Sequence, residues 1–223
     1  MFGWTPEQSG HTNCGAFNTA DAMAVKTGLI SGTKVATAMG WRAIEAIAVG
    51  DNVLTFDAGL KCVTKISRIR LWSGQDDCPR QFWPLEVPVG ALGNRETMQV
   101  LPAQNIMVES DTAEDLYGDP FSLIPAEAIE GLYGVRRVPP QLDQEIVVLH
   151  FAADQVVFAD NGALFFCPSY VDMLESACSD AAQPFYSILP MDEARNLAVQ
   201  IEDEITAACT HSPQDVWAAA VPA

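Results

Sequence analysis

The side chains best suited to nucleophilic and metal chemistry are cysteines, and in this chain they are scattered. The six cysteines form no Cys-x-x-Cys pair and have no clustered histidines beside them; they are Cys14, Cys62, Cys78, Cys167, Cys178 and Cys209. This spacing argues against a structural zinc site. Cys167 and Cys178 are close enough in sequence to pair, but two buried, reduced thiols are the simpler interpretation because nothing indicates an oxidising compartment. We expect no metal and no cofactor.

Histidine supplies one candidate for proton transfer. His150 lies in the apolar run VVLHFA, where its imidazole could act as an acid or a base near neutral pH. The interpretation we prefer is a half-buried histidine that donates a hydrogen bond to a backbone carbonyl. His11 and His211 lie in polar end segments and have no assignable partner. Serine-hydrolase, phosphate-binding and His-Glu-x-x-His motifs do not occur, so no common enzyme class is indicated.

A dense acidic stretch raises a second hypothesis, a site for a divalent cation. Its carboxylates are Glu109, Asp111, Glu114, Asp115 and Asp119. The stretch lacks the alternate-residue spacing and the central glycine of an EF-hand loop. A solvated loop that caps a short helix explains the same residues, and we prefer it.

The charge of the chain argues against general binding to nucleic acid. Twelve basic residues face twenty-nine acidic ones, a net charge of −17, which repels a phosphate backbone. Residues 141–223 hold only Arg195 against thirteen acids, so the last third is strongly acidic. The first ten residues do not resemble a secretory signal, and no apolar run is long enough to span a membrane. We expect a cytoplasmic protein.

From Gly28 onward the sequence is typical of antiparallel strands. Short β-branched runs are separated by turns such as Met39-Gly40 and Ala58-Gly59. Residues 61–72 alternate polar and apolar side chains, which predicts one long ribbon strand. Residues 145–167 predict three strands, with a hairpin at Asn161-Gly162, and residues 126–132 predict a short helix. The body of the protein is therefore expected to be mainly β.

After residue 170 the periodicity becomes helical. Residues 170–178 and 191–209 have helical spacing, and the second segment has an apolar face made of Ala194, Leu197, Ala198, Ile201, Ile205 and Ala208. A capped final helix is expected after Ser212-Pro213. We predict a leader arm at 1–27, a β domain at 28–170 and an acidic helical appendage at 171–223.

Two groups of apolar residues are candidates for binding a partner protein. Trp72, Phe82 and Trp83 form either an exposed aromatic patch or a plug at the open end of the β body, and we weigh these alternatives equally. In the appendage, the helix face with Leu197, Ile201 and Ile205 either contacts a partner or docks on the β body.

Several spaced motifs carry a resemblance to a known family. Gly32-Thr33 precedes a strand, Gly40 marks a turn, and Gly50-Asp51-Asn52-Val53-Leu54-Thr55 follows at a fixed distance. Leu101-Pro102-Ala103-Gln104 forms a second block, and residues 150–162 resemble closing strands. Together, residues 28–170 resemble the Hint domain, the fold of hedgehog C-terminal domains, inteins and a group of bacterial Hint-domain proteins. The resemblance implies a curved, horseshoe-like β fold that brings the first residue beside the second block and the closing strands.

The resemblance also implies a reaction, for which this sequence lacks the residues. In active relatives the first residue is Cys or Ser and attacks the preceding carbonyl, while a Thr and a His of the second block polarise the amide and protonate its leaving nitrogen. Here the first position is Gly28, the Thr position is Leu101 and the His position is Gln104. Glycine has no nucleophile, and a carboxamide does not transfer protons in water.

We therefore expect a catalytically inactive Hint-fold domain that acts as a protein-binding or structural module, as a subunit or an accessory protein. The alternative is an autoprocessing domain that uses a nucleophile foreign to the family, such as Thr27, which lies one residue from the first position. In that case His150 would be the surviving acid-base group. A third hypothesis is a calcium-dependent protein that uses the acidic stretch.

Overall fold

The computed structural model describes residues 27–72, 77–160, 162–169 and 186–210. Among these residues the strands are β1 (Leu29–Ile30), β2 (Lys34–Thr37), β3 (Gly40–Ala43), β4 (Asn52–Thr55), β5 (Gly59–Cys62), β6 (Lys65–Arg70), β7 (Leu85–Val87), β8 (Met98–Val100), β9 (Asn105–Glu109), β10 (Phe121–Pro125), β11 (Arg136–Arg137), β12 (Glu145–His150), β13 (Gln155–Ala159) and β14 (Ala163–Cys167). The α-helices there are α1 (Asp111–Tyr117) and α2 (Met191–Thr210), and single 3-10 turns occupy Ile44–Ala46, Arg80–Phe82 and Ala126–Ile129.

The strands form three antiparallel sheets within the described part of the chain. The largest has the order β10-β9-β14-β13-β2-β4-β5, with β3 paired to β2. The second has the order β1-β12-β6, and the third β11-β7-β8. The strand β1 therefore lies beside β12, far away in sequence, which fixes the start of the domain against its closing strands. The mainly β fold agrees with the expectation from the sequence.

The closing strands follow the predicted pattern. Residues 145–167 contain β12, β13 and β14, and β13 pairs with β14 from Gln155↔Cys167 to Ala159↔Ala163. The loop between them begins at Asp160, whose φ of 44° lies in the left-handed region that Asp and Asn tolerate better than most residues. The hairpin prediction is confirmed.

The predicted ribbon at 61–72 is wrong in one respect, because the chain changes sheets within it. The strand β5 pairs with β4, whereas β6 pairs with β12 in a different sheet. Between them Val63 is fully buried, and its amide donates to the carbonyl of Asp51. One buried side chain at this corner outweighs the regular alternation on either side. The predicted helix at 126–132 is likewise shorter, a 3-10 turn at Ala126–Ile129.

The helix α2 agrees with its predicted periodicity but packs on the β domain itself. Leu197 is only 1% exposed and belongs to the same core cluster as the strands, together with Ala194, Ala198 and Ile201. The Tyr133 hydroxyl donates to the carbonyl of Ala198 at 2.6 Å. Leu197 and Ile201 are therefore interior residues, which corrects the hypothesis that they form a partner surface. The side chain of Ile205 lies outside the described residues.

Polar contacts and a short segment before α2 hold the helix in place. The Arg195 guanidinium donates to the carbonyls of Ala128 and Glu130 at 2.6 Å each. Ahead of the helix, the amide of Leu189 donates to the carbonyl of Leu123 at 2.9 Å, which covers the outer edge of β10. The predicted helices at 170–178 and after 212, and most of the leader arm, lie outside the described residues. Among the described residues no helix is both long and apolar enough to cross a bilayer.

Candidate functional site

The first position of the domain has no room for a side chain. Gly28 precedes β1 with a φ of 136°, a conformation that L-residues rarely adopt. A Cβ built there would lie 2.6 Å from the Ile146 Cγ2 atom and 3.0 Å from the Val148 Cγ2 atom. Both methyl groups belong to β12, the strand that pairs with β1. The closing strand therefore fills the space that a nucleophilic side chain would need.

Gln104 contacts the backbone at this first position directly. Its Oε1 accepts a hydrogen bond from the amide of Gly28 at 2.7 Å. Its Nε2 donates to the carbonyl of Phe166 at 2.8 Å and to that of Asn105 at 2.9 Å. The side chain is 1% exposed, and the carboxamide is fully used. One buried side chain thus joins the start of the domain, the second block and the strand β14.

The turn that carries Gln104 is fixed by its own backbone. The Gln104 amide donates to the carbonyl of Leu101 at 3.0 Å, and the Gln104 carbonyl accepts from Ala126 at 2.8 Å. The amide of Glu127 donates to the carbonyl of Pro102 at 2.7 Å. The 3-10 turn at Ala126–Ile129 therefore supports the second block from behind, which explains why this segment remains a single tight turn.

Leu101 occupies an apolar environment beside the same strand. It is buried in a small cluster with Ile30 and Ile146. Ile146 is also the residue whose methyl group approaches Gly28. The position that would polarise the amide in the expected reaction therefore contributes packing, and the three family positions come together around β12 without any titratable group among them.

His150 lies at the end of β12, opposite Lys65 of β6. Its Nε2 is 3.3 Å from the hydroxyl oxygen of Ser67. Burial lowers the pKa of His150, the positive charge of Lys65 lowers it further, and a hydrogen bond with the Pro168 backbone opposes both. The imidazole is therefore neutral at neutral pH. Thr27, the other weak candidate, is half-buried, and its hydroxyl makes no hydrogen bond to another described residue.

The acidic stretch folds largely as a capped helix. Ser110 accepts a hydrogen bond from the amide of Ala113 at 3.3 Å, and Gly118 ends α1 in the left-handed conformation. The described residues contain no group of three or more potential ligands placed to hold a metal ion. Cys167 is fully buried, which raises the pKa of its thiol to about 12. Cys178, His11 and His211 lie outside the described residues.

The aromatic residues Trp72, Phe82 and Trp83 are half-buried, and two of them contact each other. The rings of Trp72 and Phe82 stack with centroids 6.2 Å apart and an interplanar angle of 22°. The Trp83 Nε1 atom donates to the carbonyl of Cys78 at 2.8 Å. All three aromatic residues therefore make contacts within the domain: Trp72 and Phe82 through stacking, and Trp83 through its hydrogen bond.

Comparison with known proteins identifies the fold family. The family profile described as "Hint domain" matches residues 27–167. The chain belongs to the Hint domain family. The match begins one residue before Gly28 and ends at Cys167, the last residue of β14. No curated protein matches the chain significantly.

Solved structures of inteins resemble this Hint domain at low identity. They include a splice-inactive variant of the AceL NrdHF class 3 split intein (19% identity, TM-score 0.38, covering 65% of this chain and 99% of that one). A bacterial intein-like domain from Clostridium thermocellum has 15% identity and a TM-score of 0.41, covering 64% and 99%. The gp41-1 intein has 15% identity and a TM-score of 0.39, covering 61% and 97%.

The Hint domain thus brings together Gly28 and Gln104, and it surrounds them with residues that the sequence did not single out. Ile146 and Val148 fill the first position, and the Phe166 carbonyl holds Gln104. The continuous apolar run of residues 146–149 indicates burial, but it does not indicate which residue those side chains face. Their roles follow only from the pairing of β1 with β12.

Proposed function

We propose that this Hint domain does not cleave its own chain and acts as a protein-binding or structural module, as a subunit or an accessory protein of a larger assembly. The observation that carries the proposal is the geometry at Gly28. Its side-chain space is filled by two methyl groups of β12, so a conservative change to Cys or Ser would not fit without movement of that strand.

The hydrogen bond to Gln104 supports the same conclusion from the chemistry of the leaving group. In the reaction that the family resemblance implies, the nitrogen of the first residue leaves and must gain a proton. Here the group facing that nitrogen is the Oε1 acceptor of Gln104, which takes a hydrogen bond from the Gly28 amide. Cleavage needs a proton donor at this nitrogen, whereas Gln104 offers it an acceptor. The hydrogen bond therefore holds the peptide bond in place.

Exposed apolar side chains at the β5 end of the large sheet support a binding role. Trp41 on β3 is 43% exposed and Leu60 on β5 is 51% exposed; Leu54 on β4, directly opposite Leu60, is also exposed. Met39, in the turn before β3, is almost fully exposed. The strands β4 and β5 are neighbours and β3 joins the sheet through β2, so this part of the sheet presents several apolar side chains, a feature enriched at protein interfaces. The half-buried aromatic residues Trp72, Phe82 and Trp83 remain a second candidate surface.

Intact-mass spectrometry tests the absence of cleavage. We expect one species of 24.1 kDa, whether or not a thiol or hydroxylamine is added, because no ester or thioester forms at the Thr27–Gly28 bond. The Thr27→Val variant is the matched comparison. Fragments from the wild type that disappear in this variant would instead support autoprocessing through Thr27.

A paired capture experiment tests the binding role. The wild-type chain and the Leu60→Lys variant are used as baits in the same native extract, with Leu142→Lys as a control at an exposed apolar residue outside β3–β5. We expect a stoichiometric companion that the Leu60 variant loses and the control keeps, with equal melting temperatures for all three baits. A companion retained by both variants would show that the interface does not include Leu60. The residues Trp72, Phe82 and Trp83 would then be tested next.

A further inference from the structure

A cavity of about 300 Å³ lies beside the first strand, and its wall is mostly polar. It is formed by residues 30–33, by Glu86 of β7, by the segment 96–99 that includes the first two residues of β8, and by residues 141 and 144, with Asp160 at one side. Thr33, Gln144 and Asp160 are its most buried polar residues, at 6%, 8% and 8% exposure. Gly28 and Gln104 do not line it, so the cavity is separate from the site described above.

Asp160 is held rigidly, with one carboxylate oxygen left over. Its Oδ1 accepts from the amide of Lys34 at 2.8 Å, and its own amide donates to the carbonyl of Lys34 at 2.8 Å. Its Oδ2 accepts no hydrogen bond from a described residue. Burial raises the pKa of Asp160, which the nearby Lys34 charge opposes. A carboxylate oxygen of this kind, when ionised, is a strong acceptor for a donor that enters the cavity.

Thr33 adds a second polar group to the wall of the cavity. Its amide donates to the carbonyl of Ile30 at 3.1 Å, and its carbonyl accepts from Ile44 at 2.8 Å, so the backbone is satisfied. Its hydroxyl makes no hydrogen bond within the described part of the chain, although the residue is more than nine-tenths buried and lines the cavity. The hydroxyl therefore stays available to form a hydrogen bond with a ligand in the cavity.

The charges select a cation. The cavity is lined by the carboxylates of Glu86, Glu96 and Asp160. Glu86 is ion-paired with Arg136 and Glu96 with Lys34, whereas Asp160 makes no salt bridge with a described residue. A divalent metal is disfavoured because the described residues hold no suitably spaced group of ligands. A compact cation with several hydrogen-bond donors fits the wall better.

We propose that this cavity binds a protonated primary amine on a short aliphatic chain. An ammonium group has three donors, which suit the free oxygen of Asp160, the hydroxyl of Thr33 and a neighbouring carboxylate. Ile30 and Met98 also line the cavity and offer apolar surface to the chain. The volume is at the small end of ligand sites, which limits the ligand to a few heavy atoms beyond the ammonium group.

The amine can come from two sources, a free small amine or the lysine side chain of a partner protein. The recognition chemistry is the same for both. The inference does not depend on the fate of the Thr27–Gly28 bond or on the apolar surface at β3–β5, so it can fail while the proposed function stands.

Titration followed by amide NMR shifts tests the site. The probe is n-butylammonium chloride, with 1-butanol as the neutral match and potassium chloride at equal ionic strength as the salt control. We expect saturable shifts at Thr33, Gln99 and Asp160 with the amine alone. The Asp160→Asn variant, which keeps an acceptor for Lys34, should bind at least about tenfold more weakly, and Thr33→Val a few-fold more weakly.

The matched control is Asp119→Asn. The Asp119 Oδ1 atom also accepts a backbone amide, from Phe121 at 2.9 Å, but the residue does not line the cavity. The affinity of the Asp119→Asn variant for butylammonium should equal that of the wild type. The isosteric Thr33→Val variant keeps the test decisive if Asp160→Asn lowers the melting temperature.

Three results would overturn the proposal: no saturable shift at the lining residues, equal binding of butanol, or unchanged affinity in both the Asp160 and Thr33 variants. A second arm separates the sources with an acetylated, amidated Gly-Lys-Gly peptide and its norleucine counterpart. A lysine peptide that binds more tightly than butylammonium assigns the site to a partner's lysine. Tighter binding of butylammonium assigns it to a free amine.

Discussion

Two neighbouring regions of this Hint domain treat their buried polar groups in opposite ways. At the first position, the carboxamide of Gln104 is fully hydrogen-bonded, and methyl groups fill the space beside Gly28. In the adjacent cavity, the hydroxyl of Thr33 and one oxygen of Asp160 remain unused by described residues. Ile30 contributes to both regions, since it packs with Leu101 and also lines the cavity. The first position is thus packed into the core, whereas the cavity leaves two polar groups available to a ligand.

The largest expected effect is at Gly28. The Gly28→Ala variant should lose about 2 to 6 kcal/mol of unfolding free energy, because overpacking and a strained φ each cost about 1 to 3 kcal/mol. Urea unfolding measures the loss. Gly50→Ala is the control, since Gly50 has a φ of 95° but open space around its missing Cβ. It should lose only the strain contribution, and an equal loss in both variants would show that the first position is not filled.

The next effect concerns Gln104. The Gln104→Leu variant should lose about 3 kcal/mol, because one amide and two carbonyls lose their partner at about 1 kcal/mol each, the lower end of the cost of an unsatisfied group. Gln81→Leu, at an exposed position, should change the unfolding free energy by less than about 0.5 kcal/mol. If the two variants were equally stable, Gln104 would not hold the first position in place.

A smaller effect separates the cavity from the core. Thr33→Val should change stability by no more than about 0.5 kcal/mol, since the hydroxyl has no described partner to lose. Thr55→Val is the matched control, because the Thr55 hydroxyl is also buried but donates to the carbonyl of Gly59 at 2.7 Å. It should lose about 1 kcal/mol. A larger loss at Thr33 than at Thr55 would mean that Thr33 already has a partner within the protein.

The smallest effect is a dependence of stability on pH. Burial raises the pKa of Asp160 above its ordinary value of 3.8. Between pH 3.8 and the raised pKa, the folded state holds more protons than the unfolded state. The contribution of Asp160 to stability is therefore present at lower pH and is lost as the pH rises through the raised pKa. The difference in urea midpoint between wild type and Asp160→Asn should therefore shift in favour of the variant across this interval. A difference independent of pH would contradict the raised pKa.

The sequence predicts the fold better than the environment of the site. The hairpin of β13 and β14 and the period of α2 depend on local patterns, and both appear where expected. The division of residues 61–72 between two sheets depends on the burial of Val63, which local alternation does not reveal. The burial of Leu197 and Ile201 in the core follows from the approach of α2 to the β domain, and a helical period alone does not distinguish that from a partner surface.

In the candidate site, too, local motifs predict the residues, whereas contacts between distant segments determine their surroundings. The motif spacing locates Gly28, Leu101 and Gln104, and the identities of these residues predict the loss of the reaction. The filled space at Gly28 depends on the register between β1 and β12, and the cavity at Thr33 depends on strands and loops distant in sequence. Neither can be deduced from spacing along the chain.

The absence of self-cleavage can be checked by the mass of the freshly purified chain and of the same chain after prolonged incubation with hydroxylamine at neutral pH. We expect a single, unchanged polypeptide in both samples. Two fragments divided between Thr27 and Gly28 would contradict it, because they would require an attacking group and a proton donor at a place where the structure has a filled space and a hydrogen-bond acceptor.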